Sequence, residues 1–330
     1  MGEFGWLKRL LPQLYWPKER YSQLCIGPGD DAGALWISGG KVLVATTDAM
    51  VEGVHFERKW FPWEALGYKV LSVNLSDLAA MGKVRPLGAL VTASFPGDTP
   101  VETVDNFFRG LDKCARRWKV GLLGGDTVGS KGPWTISVAM FGEGKPKELI
   151  RRGGAHRGDW IVTSGPVGLA AAGLEILQLG RNQEPWMKPL LASFCTPKPR
   201  FDVGEILGAH RLATSLTDSS DGLEASVRLL AEASGLSAEL NLPKIPIHSA
   251  LKKWAISRRK DPMAYILRGG EDYELVFTCR PKDWPAIHRR LSGSRVVGQM
   301  ISGTGQHRAI TPEGIIPLRS YGYNHFIVKD

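Results

Sequence analysis

The sequence predicts an α/β or α+β chain divided into two domains, and three observations carry that expectation. Strand-like and helix-like hydrophobic patterns alternate along the chain. The chain has 330 residues, more than one hydrophobic core usually serves. The periodicity then breaks over residues 142–158, where glycine, lysine, arginine and proline dominate. That break predicts domains over residues 1–145 and 146–330.

In the first half, apolar runs predict strands over Val42–Thr47, Gly88–Phe95, Val120–Leu123 and Thr135–Phe141. Helical patterns fall between them, over Pro62–Met81 and Pro100–Trp118. The second half restarts with a strand over Trp160–Ser164 and a small-residue helix over Gly168–Leu179. A strand over Leu212–Thr217, a helix over Gly222–Ser234, and strands over Tyr273–Cys279 and Val296–Met300 follow.

Composition narrows the class. With 43% hydrophobic and 23% charged residues, disordered and fibrous classes are excluded. No apolar run reaches the roughly 18 residues that a membrane span needs. The segment from Phe4 to Leu14 is apolar but interrupted by Lys8, Arg9 and Pro12. It reads as a short amphipathic helix rather than a signal peptide. Cys25, Cys114, Cys195 and Cys279 are far apart with no C-x-x-C pair, which fits unpaired thiols in a reducing cytoplasm. Net charge is +9. The basic clusters over residues 109–119 and 252–260 lack interleaved surface aromatics, so they read as solvated faces and not as a nucleic-acid surface.

The chemistry lies in the acids. In the helix over Pro62–Met81, Leu66, Val70 and Val73 mark one face, and the same step arrives at Asp77. A carboxylate on an apolar face needs a partner, which a salt bridge, a helix-end role or a metal would supply. Asp30 and Asp31 follow Gly27-Pro28-Gly29, Asp48 follows Thr46 and Thr47, and Asp126 follows Gly124-Gly125. Asp218 and Asp221 flank Ser219 and Ser220. Each acid is expected where a strand gives way to glycine or hydroxyl residues. Such acids also cap helices and turns, yet ligand sites gather at strand ends. Oxygen donors of this kind suit magnesium, which bridges carboxylates to phosphates. The chain has no G-x-x-x-x-G-K-[ST] loop, no H-R-D with D-F-G and no G-x-S-x-G elbow, so the commonest phosphoryl-transfer designs and a nucleophile elbow are excluded.

Six segments then occur in order. They are Gly27-Pro28-Gly29-Asp30-Asp31-Ala32, Thr46-Thr47-Asp48 with Val51-Glu52-Gly53-Val54-His55-Phe56, Val73-Asn74-Leu75-Ser76-Asp77-Leu78-Ala79-Ala80-Met81-Gly82, Gly124-Gly125-Asp126-Thr127, Asp218-Ser219-Ser220-Asp221-Gly222, and Gly269-Gly270-Glu271-Asp272-Tyr273-Glu274-Leu275. With the ends Gly2-Glu3-Phe4 and Gly322-Tyr323-Asn324-His325-Phe326, the chain resembles thiamine-monophosphate kinases over nearly its whole length.

That resemblance implies a two-domain aminoimidazole-ribotide synthetase-like fold whose N-terminal sheets pair in a homodimer. It implies ATP-dependent phosphorylation of thiamine monophosphate to thiamine diphosphate, with several Mg ions. Asp31, Thr46, Thr47, Asp48, Asp77, Asp126, Asp218 and Asp221 are the implied metal ligands, with the second acid of the Asp30–Asp31 pair carrying that duty. Gly125, Asp126, Arg152 and Ser220 are implied ATP contacts, and Trp118 stands where an ATP-contacting tyrosine is often found. His55, Glu271 and Tyr323 are implied contacts to thiamine phosphate. Departures from the family pattern are the lengthened turn at Pro28 and Gly29, Trp118 itself, and Ser219 in place of an apolar residue. No general base is expected, because the acceptor phosphate is already largely dianionic at neutral pH; Arg152 and the metals would neutralise charge instead. The rival readings are another ATP-using enzyme of the superfamily and a non-catalytic sensor of ATP or thiamine phosphate.

Overall fold

A computed structural model describes residues 9–10, 17–180, 184–318 and 322. Most of the expected helix from Phe4 to Leu14 lies outside the described residues, although Arg9 and Leu10 are helical. The first sheet has six strands: β1 (Leu24–Ile26), β2 (Gly33–Ile37), β3 (Lys41–Val51), β4 (Gly82–Pro96), β5 (Gly121–Ser130) and β6 (Thr135–Leu149). Their order is β1-β2-β3-β6-β4-β5. Every neighbouring pair is antiparallel except β4 and β5. A parallel pair needs a crossover, and helix α2 (Val101–Trp118) provides it.

Helix α1 (Trp63–Ala80) joins β3 to β4 and is the centre of the molecule. The sequence marked one apolar face on it, but the helix is buried nearly all round from Leu66 to Ala80. The reason is tertiary: α1 packs against the first sheet, α2 and elements of the second domain at once. Its crossing with α2 is backbone on backbone. A Cβ on Gly67 would come within 1.9 Å of the Phe107 carbonyl oxygen, and one on Gly110 within 1.8 Å of that of Glu64. The basic cluster on α2 is solvated as expected, with Lys113, Arg116 and Arg117 exposed.

The second sheet has seven strands: β7 (Trp160–Thr163), β8 (Ser215–Asp218), β9 (Ser237–Asn241), β10 (Leu275–Cys279), β11 (Arg295–Ile301), β12 (Arg308–Thr311) and β13 (Gly314–Pro317). Their order is β13-β12-β9-β11-β7-β10-β8. Helices α3 (Leu169–Gln178), α4 (Lys188–Cys195), α5 (Phe201–His210), α6 (Leu223–Ala233), α7 (Ser249–Arg258), α8 (Pro262–Arg268) and α9 (Trp284–Arg290) accompany it. The core around the first sheet also takes in Ala170, Leu177 and Phe194 of the second half. Strand β6 continues the first sheet to Leu149, so residues 145 and 146 both lie inside it, and β7 opens the second sheet at Trp160.

Two expected strand ends move. Strand β3 runs on to Val51, and Asp48 sits within it opposite Val138 of β6. Strand β5 runs from Gly121 to Ser130, so Asp126 is mid-strand opposite Thr92. Ladder pairing to long neighbours overrides the low strand propensity of glycine and aspartate. Strand β8 does end at Asp218. Among the described residues, no helix is long and apolar enough to cross a membrane.

Candidate active site

Four stretches of chain deliver the acids to one place. Asp31 comes from the turn before β2, Asp48 from β3, Asp77 from the end of α1, and Asp218 from the end of β8. Asp31, Asp77 and Asp218 each offer a carboxylate oxygen, and these oxygens all lie within 4.8 Å of one another. They line a cavity of about 640 Å³. Thr46, Thr47, Asp48 and His55 line it from β3 and the turn that follows. Arg152, Ser220, Asp221 and Glu271 line it from the second half of the chain.

Helix α1 positions three of these groups. The Asn74 side chain accepts from the Asp48 backbone N–H at 2.9 Å and donates to the Val70 carbonyl at 3.0 Å. Ser76 donates to Asp218 at 2.6 Å, joining the two domains. Asp77 accepts from the Thr46 hydroxyl at 2.7 Å. Asn74 and Ser76 were not singled out from the sequence. Their signal was present, since they lie within one helical turn of Asp77.

Asp31 is gripped from the second domain. Arg152 donates to it through Nη2 at 2.7 Å and Nε at 3.2 Å, and Thr217 donates at 2.9 Å. Asp30 turns aside and accepts from the Arg152 backbone N–H at 2.6 Å. The two acids of the pair are thereby given different jobs.

The electrostatics are those of crowded anions. Burial, then the neighbouring Asp221 and Asp31, pushes the Asp48 carboxyl up to about 6. The Asp48 surface opens on the cavity, but protein surrounds that opening, so desolvation still dominates. Burial and Asp31 push Asp218 up to about 7, against the hydrogen bond from Ser76. Asp77 is raised by burial and then by Asp48, Asp218 and Asp31. Burial opposes the charge of Arg152, but Asp31, Asp218 and Asp77 more than offset it and raise its pKa. Like charges held this close want a cation. An all-oxygen donor set of carboxylates and hydroxyls fits magnesium.

His55 accepts the Val51 N–H at its Nδ1, 3.0 Å away. That assigns the imidazole proton to Nε2 in the neutral ring. Gly270 is required where the chain passes Ser220, because a Cβ there would stand 2.4 Å from the Ser220 carbonyl oxygen. Glu271 follows with φ of 67° and donates its N–H to the same carbonyl at 2.7 Å. Arg268 and Tyr273 also line the cavity, and neither was anticipated. Asp272, beside them, points away and accepts from the Gly168 and Ala170 N–H groups that open α3.

Three expected site residues lie elsewhere. Trp118 packs on Phe201, ring centroids 5.7 Å apart, and does not line the cavity. Gly125 and Asp126 lie on the exposed edge strand β5. Asp126 pairs across the ladder with Thr92, Ser137 and Ala49, whereas Asp48 pairs with Val138, Val91 and Gly125. Alternate residues face opposite sides of a sheet. Asp126 therefore faces away from α1, three strand spacings or about 14 Å along the sheet from β3. Tyr323 lies outside the described residues; its neighbour Gly322 packs on Asp221.

Comparison with known proteins gives the family and the fold. Residues 29–143 match the family AIR synthase related protein, N-terminal domain, and residues 156–308 its C-terminal domain. A thiamine-monophosphate kinase of Synechococcus elongatus is 32% identical, covering 99% of this chain and 97% of that protein. One of Escherichia coli K12 is 34% identical over 98% of each. A solved structure of AaThiL complexed with AMPPCP and TMP has a TM-score of 0.85 at 32% identity, covering 98% of this chain and 97% of that one. The hydrogenase maturation protein HypE in complex with ATP has a TM-score of 0.70 at 19% identity, which shows the shared fold. Matched along almost its entire length, the chain belongs to the thiamine-monophosphate kinase family.

Proposed function

We propose that the protein transfers the γ-phosphoryl group of ATP to thiamine monophosphate, forming thiamine diphosphate and ADP by direct in-line displacement. The observation that carries this reading is the convergence of Asp31, Asp77 and Asp218 within 4.8 Å of one another, in a cavity shared with Arg152, His55 and Glu271. Asp31, Asp48, Asp77, Asp218 and Asp221, with Thr46 and Thr47, would hold Mg ions. When bound, those ions neutralise the phosphates and align them.

The side chains do the rest. Arg152 is locked by Asp31 through Nε and Nη2, and among the described residues its Nη1 meets only the Gly29 carbonyl, at 3.4 Å. In this reading that nitrogen takes a phosphate oxygen of ATP, and Ser220 lines the same cavity. His55 has its Nδ1 occupied, so it donates from Nε2 to the acceptor phosphate and does not remove a proton. None needs removing, because the second pKa of a phosphate monoester is about 6. Glu271 supplies a carboxylate for the cationic thiazolium ring, and Tyr323 stacks on the substrate. A cytosolic setting suits the four unpaired cysteines.

The working unit in this reading is a homodimer. Strand β5 is exposed along nearly all its length and carries Leu122, Leu123 and Val128 into solvent. An open edge of that kind invites pairing with a second chain. A second copy covering this face would bring Gly124-Gly125-Asp126 to the ATP phosphates of its neighbour. Mixing inactive Asp48→Ala and Asp126→Ala chains tests it. Half the dimers would be mixed and each would hold one intact site, so about a quarter of wild-type activity should return. No recovery would place Asp126 in its own chain's site.

The primary test is direct. Purified protein with ATP, magnesium and thiamine monophosphate should yield thiamine diphosphate and ADP, separated by chromatography. Absence of product from both thiamine monophosphate and free thiamine would overturn the kinase reading.

A further inference from the structure

Beneath the cavity lies a cation that the mechanism above does not use. Lys69 sits on α1, two turns before Asp77, and is fully buried. Its Nζ lies 2.9 Å from Glu271 Oε1. The same nitrogen stands 3.4 Å from the centre of the Phe194 ring and 5.6 Å from that of Phe61. Among the described residues, no second carboxylate pairs with it. Burial pulls its pKa down, and Glu271 offsets this only in part.

An ammonium ion withdrawn from water costs several kcal/mol unless a counter-charge and a favourable surface compensate it. Here a single carboxylate and two aromatic faces do so. A simpler core would place leucine or methionine on this turn, where Leu66, Val70 and Leu71 already pack. The charge is therefore tied to Glu271. Glu271 in turn is held at a positive φ of 67°, a conformation that disfavours side chains other than glycine, asparagine and aspartate. Its backbone is anchored to Ser220. With Oε1 drawn toward Lys69, the side chain still lines the cavity.

We propose that Lys69 is a positioning residue. It holds the Glu271 carboxylate in one orientation, so that the cavity presents a fixed anion to the organic cation of the acceptor. This rests on the kinase reading for the identity of that cation. Lys69 lies outside the cavity lining and acts through Glu271 alone. Its contribution therefore falls on the acceptor and not on the nucleotide.

The test compares KM values for the two substrates in Lys69→Met, Lys69→Arg, Glu271→Gln and the double variant Lys69→Met/Glu271→Gln, with thermal melts on the same samples. Lys69→Met should raise KM for thiamine monophosphate by about tenfold or more and leave KM for ATP within about twofold. The double variant should lose no more than Glu271→Gln alone, since both act on one contact. Lys69→Arg should recover part of the acceptor KM. Equal rises in both KM values, or additive losses in the double variant, would overturn the proposal in favour of a packing role. Should Lys69→Met not fold, the split between the two KM values in Lys69→Arg and Glu271→Gln decides the matter by the same criterion. If the wild type shows no turnover, the kinase reading fails by itself. Calorimetric binding of thiamine to wild type and Lys69→Met then tests the positioning separately, with equal affinities overturning it.

Discussion

Replacing Asp218 by asparagine should inactivate the protein and at the same time stabilise it without metal. Turnover should fall by at least about a thousandfold, on the scale seen when a charge-stabilising group is lost in phosphoryl transfer. Stability should move the other way. The Asp218 carboxyl is raised in the folded state from 3.8 to about 7, first by burial and then by Asp31. A group raised in this way favours folding while protonated, below about pH 4. That contribution is lost as the pH climbs through about 7. The asparagine keeps an acceptor for the Ser76 hydroxyl, which donates at 2.6 Å, and has no charge to desolvate. Metal-free Asp218→Asn should therefore melt above metal-free wild type at pH 8, by about 1–3 kcal/mol in stability. The difference should vanish near pH 4. Saturating magnesium should narrow it at pH 8 by stabilising the wild type more. Equal melting of the two proteins at pH 8 without metal would contradict the crowded-anion description of the site.

The second large effect lies in the core. Trp134 is fully buried and stacks on Phe95 with centroids 4.6 Å apart. It also meets Trp63 at 4.7 Å and the edge of Phe107 at 5.6 Å. Its backbone N–H donates to the Glu52 carboxylate at 3.1 Å, and its carbonyl accepts the Glu52 N–H at 2.8 Å. The ring thus clamps the start of α1, α2 and the end of β4 in one place, while the Trp134 backbone ties down Glu52 just after β3. Trp134→Ala should cost about 3–5 kcal/mol, from lost transfer energy and the cavity left behind. Trp134→Phe should cost clearly less. Chemical denaturation of both variants checks this, and a loss below about 1 kcal/mol for the alanine variant would mean that the cluster collapses around the gap. Because the ring packs on Trp63 at the start of α1, which carries Asn74, Ser76 and Asp77, the alanine variant should also lose activity at temperatures where it remains folded.

Much of this molecule was legible in its residue order. Because a buried element imposes its period on the sequence, the apolar patterns placed α1, α2, α3, α6, β7, β10 and β11 within about two residues at each end, whereas β4 begins six residues before its expected start. Strands β9, β12 and β13 and helices α4 and α5 were not anticipated, although β7 and β10 are no longer than β9; they take their structure from packing on neighbouring elements. The ends of β3 and β5 were set short because glycine, threonine and aspartate read as turn residues. Hydrogen bonding to β6 and β4 kept them extended.

The site divides the same way. Acids beside glycines and hydroxyls suggested an oxygen-donor cation site, and the six ordered segments announced the family. Such information is local: each motif carries its chemistry in adjacent residues, whatever the chain does elsewhere. Which acids meet is not local. Asp31, Asp77 and Asp218 converge because α1 is packed between two sheets, while Asp126 ends on the opposite face because strand pairing fixed its parity. Lys69 looked like any helical lysine, and its burial against Phe194 and Glu271 depends on residues more than a hundred positions away. Residue type can be read one position at a time, but burial and facing are properties of contacts between distant segments, and those exist only once the chain has folded.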